Sequence, residues 1–185
     1  MPGHASYAEG SEMCAGKYKG WGEHKFACLY LPRLAAEMTA LGYDVVCTSR
    51  EEAGGSTPSY SAKAANAAGV DIALEFHFNS CGAATGAEVM YWGKSATGKK
   101  FATLLGESVA ARLGVRHRGA KYVPTPENRG TEAFRQSRMP FFMVEFCFAG
   151  SNPEDAEKLC RAAAAPDWEA WLAGAIDAAI RKTYN

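Results

Sequence analysis

The sequence predicts an α/β protein: three α/β/α layers around a twisted, mostly parallel, mixed central sheet. Helical and strand-like stretches alternate along most of the chain, the order expected of a sheet covered on both faces. The run "PFFMVEFCF" at 140–148 is continuously apolar, as strands buried on both sides are. The stretch "DIALEFHFNS" at 71–80 alternates instead. Ile72, Leu74, Phe76 and Phe78 fall on one face, and Ala73, Glu75, His77 and Asn79 on the other.

The elements follow in order. Met1 to Gly22 is glycine-rich, has little periodicity and reads as a loop. From Glu23 to Leu41 the apolar residues Ala27, Leu31, Leu34, Met38 and Leu41 recur at helical steps, with Pro32 predicting a kink. Gly42 ends that helix, and "YDVVCTS" at 43–49 has the composition of a short buried strand. A loop leads to a helix over "SAKAANAAGV" that Gly69 stops, and this feeds the alternating strand. "AEVMYW" at 87–92 is a further strand. Thr97 is placed to cap a helix with the stripe Phe101, Leu104, Leu105, Val109 and Leu113, closing at Gly114. Residues 115–139 read as irregular and rich in arginine. Asn152-Pro153 starts a helix by cap-then-proline logic, and a last helix from Asp167 packs Trp168, Trp171, Leu172, Ala175, Ile176 and Ile180.

With 185 residues, the chain is expected to form one domain, with a core that needs no staples. Basic and acidic residues balance at 20 each, and no cluster of one sign suggests a nucleic-acid footprint. No apolar run reaches the roughly 18 residues of a membrane span, and no signal peptide is evident at the start. Synthesis in the cytoplasm is therefore expected. The six cysteines are scattered, with no C-x-x-C pair, and read as reduced thiols rather than a zinc knuckle or disulfide framework.

Two polar residues break the apolar pattern. Glu145 stands among Met143, Val144, Phe146, Cys147 and Phe148, where an ionised carboxylate must be neutral, paired or near a metal. Arg135 and Arg138 are the structural partners available nearby in sequence. His77 gains weight from His4 and Glu23, because two histidines, one carboxylate and an open fourth position make a catalytic zinc set. His24 could replace Glu23 in that set, and His117 could replace His4. Glu75, on the face of His77, could accept a hydrogen bond from it; a paired core acid is the simpler expectation.

The segments "PGH" (2–4), "GWGE" (20–23), "LGYDVVCTSR" (41–50), "AANAAGVDIALEFHFNS" (64–80) and "MPFFMVEFCFAGSNPED" (139–155) together resemble the zinc-dependent N-acetylmuramoyl-L-alanine amidases. The resemblance runs from residue 2 to about residue 180. It implies His4, Glu23 and His77 as ligands of one zinc ion and Glu145 as catalytic acid/base, and it gives His24, His117 and Glu75 no role. It also implies a hydrolase acting on the amide between the sugar lactyl group and L-alanine of peptidoglycan. Asn79 and Arg135 are candidate donors to the oxyanion. Only three residues precede His4, too few for a strand of their own, so the expectation is either a natural chain that starts upstream or a sheet one strand short with a loosely held His4.

Residues 115–139 contain no amphipathic helix long enough to block the site. An open site on a single catalytic domain, 1–185, without wall-binding repeats resembles a phage lysis enzyme. It would act on the cell wall as a monomer, with no nucleic acid or membrane as partner. A zinc carboxypeptidase-like enzyme and a non-catalytic wall-binding module are the rival readings.

Overall fold

The computed structural model describes residues 1–8, 10–123 and 131–184. Six helices and four strands alternate: α1 (Glu23–Ala40), α2 (Pro58–Ala68), β1 (Ala73–His77), β2 (Ala87–Trp92), α3 (Ala96–Leu113), β3 (His117–Val123), α4 (Thr131–Gln136), β4 (Phe141–Glu145), α5 (Pro153–Ala163) and α6 (Trp168–Tyr184). The sheet order is β1-β4-β2-β3. β1 and β4 are parallel, as are β2 and β3, while β2 runs antiparallel to β4. The expected mixed α/β sheet is the observed one.

Alternation along the strands sorts the core into two. Phe76, Phe142, Val144, Val89 and Tyr91 face a large cluster with Phe26 and Leu31 of α1, Phe101 and Leu105 of α3, and Trp168 and Leu172 of α6. Ala73, Phe141 and Met143 face a smaller cluster with Ala65 of α2 and Ala133 and Phe134 of α4. Since neighbours two apart share a face, Glu75, His77, Glu145 and Glu88 belong to the α2/α4 side. Burying the larger face drives the fold, at roughly 25 cal/mol for each Å² of apolar surface removed from water.

α1 continues through Pro32 as a single helix, as expected; the packing of Phe26, Leu31, Leu34 and Met38 in the core holds it together. Other elements depart from expectation. α3 is capped by Ser95, whose Oγ accepts from the Gly98 amide at 3.0 Å, rather than by Thr97. The segment 115–139, read as irregular, contributes β3 and α4; residues 124–130 lie outside the described residues. The predicted strand 43–49 does not form. Residues 44–48 make no backbone ladder with a neighbour among the described residues. They and β1 line an apolar groove of about 570 Å³ with Leu34, Met38 and Ile72. Strand composition without a ladder partner leaves backbone groups to solvent, so the segment stays irregular.

Among the described residues, the far edge of β1 is paired only by the first few of the chain. Pro2 bridges Phe76 in parallel, the Phe76 amide donates to Met1 O (3.1 Å), and the Gly3 amide donates to Phe76 O (2.9 Å). The turn that carries His4 is thereby stitched to the sheet. The six cysteines form no disulfide among the described residues. No described helix is long and apolar enough to cross a membrane.

Candidate metal centre and catalytic site

The carboxyl ends of parallel strands collect ligands in α/β sheets, and here the two anomalous polar residues end adjacent strands. His77 closes β1, Glu145 closes β4, and the two are register partners. Glu88 lies opposite Glu145 on β2, whose reversed direction brings its first turn to the same edge. Glu23 opens α1, where a negative charge also suits the helix dipole.

His4, Glu23 and His77 converge: one ligand atom from each lies within 4.8 Å of the others. His77 Nδ1 is 2.8 Å from Glu23 Oε2, and His4 Nε2 is 3.6 Å from Glu23 Oε1. Glu23 and His77 are buried and His4 is partly exposed, so the cluster meets solvent at His4. Two glycines make the room. A Cβ on Gly3 would stand 2.2 Å from His77 Cε1, and one on Gly10 would stand 2.5 Å from His4 Cδ2 and 2.7 Å from Glu23 Oε1. Gly10 also has φ +81°, which side chains rarely adopt.

His4 is anchored, contrary to expectation. It holds φ 62°, a conformation in which histidine is over-represented among non-glycine residues. The Gly3 amide pins one side of it, the Ala8 amide donates to Ala5 O at 2.9 Å on the other, and His24 Nδ1 lies 3.2 Å from His4 O. His24 thus supports a backbone carbonyl and does not enter the cluster. His117 lies elsewhere, against α3, with Nε2 2.8 Å from where a Cβ on Gly106 would be.

The electrostatics follow from burial of charge. Burial opposes the His77 imidazolium, but Glu23 and Glu75 outweigh it and raise its pKa to about 10. Burial likewise opposes ionisation of Glu75, yet His77 and Arg50 hold it at about 2. Glu145 goes the other way. Burial raises it, His77 pulls it back, and the acids Glu23, Glu88 and Glu75 push it further, to about 8. Burial also lowers His4, against the pull of Glu23.

Glu145 has no arginine partner among the described residues: Arg135 and Arg138 are exposed and form no ion pair there. Its Oε2 is buried without a hydrogen bond among the described residues, as is His77 Nε2. Asn79 turns to Glu88, donating from Nδ2 to Oε1 at 3.3 Å. Arg118 Nε donates to Glu88 Oε2 at 2.7 Å, with its guanidinium 4.7 Å over the Phe148 ring. Gly3, Gly10, Glu88 and Arg118 were missed in the sequence. Glu88 carried the signal that exposed Glu145, an acid inside the apolar strand "AEVMYW".

The donor set fits a zinc ion: two imidazoles and a carboxylate, buried on one side and open on the other, with room kept by glycines. The N-acetylmuramoyl-L-alanine amidase family profile matches residues 1–182. The chain belongs to that family. Its fold is similar to that of Cwp6 from Clostridium difficile, at 20% identity and TM-score 0.75, covering 100% of this chain and 28% of that one. It is also similar to an N-acetylmuramoyl-L-alanine amidase from Clostridium difficile 630 (20% identity, TM-score 0.67, 98% and 92% of the two chains). A third likeness is to the catalytic domain of the CD27L endolysin targeting Clostridia difficile (22% identity, TM-score 0.65, 88% and 85%). The chain spans little more than a quarter of Cwp6 and most of the other two amidase-fold structures. No curated protein sequence matches the chain.

Proposed function

We propose that the chain is a zinc hydrolase that cleaves the amide bond between N-acetylmuramic acid and L-alanine in peptidoglycan. The observation that carries this reading is one acid without a hydrogen-bond partner on Oε2 among the described residues, beside three gathered donors: Glu145 ends the strand paired to that of His77, and His77 lies with Glu23 and His4. Family membership supports the amidase class.

His4, Glu23 and His77 would hold the ion. A zinc ion so held supplies water activation near neutral pH and polarisation of the amide carbonyl. Glu145 Oε2 is the proton carrier. Its raised affinity for protons suits it to take one from the attacking water and deliver it to the departing alanine nitrogen. The amide C–N bond breaks, a lactyl carboxylate forms and a free amine leaves. Asn79 and Arg135 remain the candidate donors to the developing oxyanion. Of the two, Asn79 adjoins the site through Glu88, and Arg135 is exposed on α4.

All four principal groups come from one chain, so a monomer suffices. The setting we infer is cell lysis or wall turnover, with peptidoglycan as partner; likeness to an endolysin catalytic domain supports it. The test is digestion of purified peptidoglycan with the zinc-loaded protein. Release of intact stem peptides with alanine at the amino terminus is expected. Shortened stems would make the enzyme a peptidase, and binding without new amino groups would make it a wall-binding module.

A further inference from the structure

We propose that Glu75 is a positioning residue for His77: braced by Arg50 and Ser61, it takes the hydrogen on Nε2 and leaves Nδ1 as the nitrogen presented to the metal centre. The inference rests on the zinc reading of that centre.

The ring of His77 lies between two carboxylates. Nδ1 is 2.8 Å from Glu23 Oε2, and Nε2 is 3.3 Å from Glu75 Oε2. Gly3 packs against the ring edge, so no side chain at position 3 could share that space. A histidine that holds a metal is neutral, and which nitrogen keeps its hydrogen is set by what each faces. Glu23 belongs to the ligand cluster, whereas Glu75 sits on the opposite side of the ring, fully buried.

Glu75 is built to be an acceptor. Arg50 Nε (3.0 Å) and Ser61 Oγ both donate to its Oε1, and neither reaches Oε2. Oε2 is buried and has no hydrogen-bond partner among the described residues; neither does His77 Nε2, 3.3 Å away. At that separation each can satisfy the other. Arg50 is itself fixed, its Nη1 donating to Ser56 O at 3.1 Å within a turn closed on Arg50 O by the amides of Ala53 and Gly55. A buried ion pair placed on the far side of a ligand histidine, with its free oxygen aimed at the ring, orients the ring and fixes its proton. A core acid that merely needed neutralising by Arg50 would not require Oε2 to be left over.

The experiment is 15N-histidine NMR of the zinc-loaded wild type, together with zinc affinities by chelator competition for wild type, Glu75→Gln and Glu75→Ala. The expected spectrum shows His77 protonated at Nε2 and bound through Nδ1. Zinc affinity should fall about 10- to 100-fold in Glu75→Ala, less in the isosteric Glu75→Gln, whose amide oxygen still accepts. Zinc bound through Nε2 would overturn the inference and leave the zinc reading intact, as would folded variants with wild-type affinity. A wild type that takes up no zinc would overturn both. If Glu75→Ala fails to fold, the wild-type spectrum and Glu75→Gln still decide.

Discussion

The two faces of the sheet are built from the same strands by the same alternation, and they do opposite things. Toward α1, α3 and α6, β4 presents Phe142 and Val144 to a cluster of aromatic and aliphatic side chains, with Phe101 and Phe142 at 4.3 Å between ring centroids. Toward α2 and α4, the same strand presents Phe141, Met143 and then Glu145. β1 does likewise, with Leu74 and Phe76 on one side and Glu75 and His77 on the other. One face gathers apolar surface and stabilises the fold. The other gathers three buried carboxylates, Glu75, Glu88 and Glu145, beside one histidine that Glu23 at the head of α1 also meets, an arrangement that opposes folding unless cations answer it. Arg50 answers Glu75, Arg118 answers Glu88, and among the described residues Glu145 is left without an arginine or lysine. Stability and chemistry are thus divided by the pleat.

The sharpest way to break that division is to change each face in turn. Glu145→Gln keeps shape and removes the proton carrier. Amide hydrolysis by the zinc-loaded protein should fall about 100- to 10,000-fold, with zinc content unchanged; retained activity would remove Glu145 from the mechanism. Phe142→Ala, one residue-type change on the other face, should do the reverse. Truncating a fully buried aromatic costs about 3–5 kcal/mol, read as a lowered urea midpoint, while turnover per folded molecule stays near wild type. A large loss of turnover at full folding would show that the faces are not separable.

A pH series sharpens the same comparison. In metal-free protein Glu145 binds its proton up to about pH 8, whereas the unfolded chain releases it near 4.5. The native state therefore holds the extra proton across that window, and stability falls as pH rises through it. Glu145→Gln removes this slope, so the variant should gain on wild type between pH 5 and about 8, measured by denaturant unfolding in chelator. Phe142→Ala should shift the whole curve without changing its slope. Parallel curves for wild type and Glu145→Gln would place that carboxylate in water.

The alternating pattern at 71–80 and the apolar run at 140–148 were enough to read both faces, because period two survives any tertiary setting. Gly69, Gly114 and Asn152-Pro153 marked helix ends for local reasons. What sequence could not supply was pairing. "YDVVCTS" has strand composition and no ladder, while "HRGAKYV", polar and unremarkable, becomes β3 because β2 lies beside it. The site divides in the same way. Glu145 was conspicuous as an acid in apolar company, and the ligands came from family likeness rather than spacing. Gly3 and Gly10 were invisible, since the space a missing Cβ leaves exists only once His77 and His4 are folded against it. Arg50, separated from Glu75 by 25 positions, shows the same limit.

The smallest effect tests how the two faces are tied at the site's rim. Asn152 caps α5, its Oδ1 accepting from the amides of Glu154 (3.0 Å) and Asp155 (3.2 Å). Asp155, one turn in and buried, accepts from Thr85 Oγ1 (2.6 Å), the Gly86 amide (3.0 Å) and the Phe148 amide (2.9 Å), joining the chain just before Glu88 to the chain just after Glu145. Asn152→Ala removes the cap and leaves those three bonds in place, so about 1 kcal/mol of stability should go, with hydrolysis per folded molecule unchanged. Asp155→Ala strips the three donors at once and should lower both. If Asn152→Ala alone reduced turnover, α5 would set the spacing of the two acids through its first turn, and the rim would belong to the catalytic face.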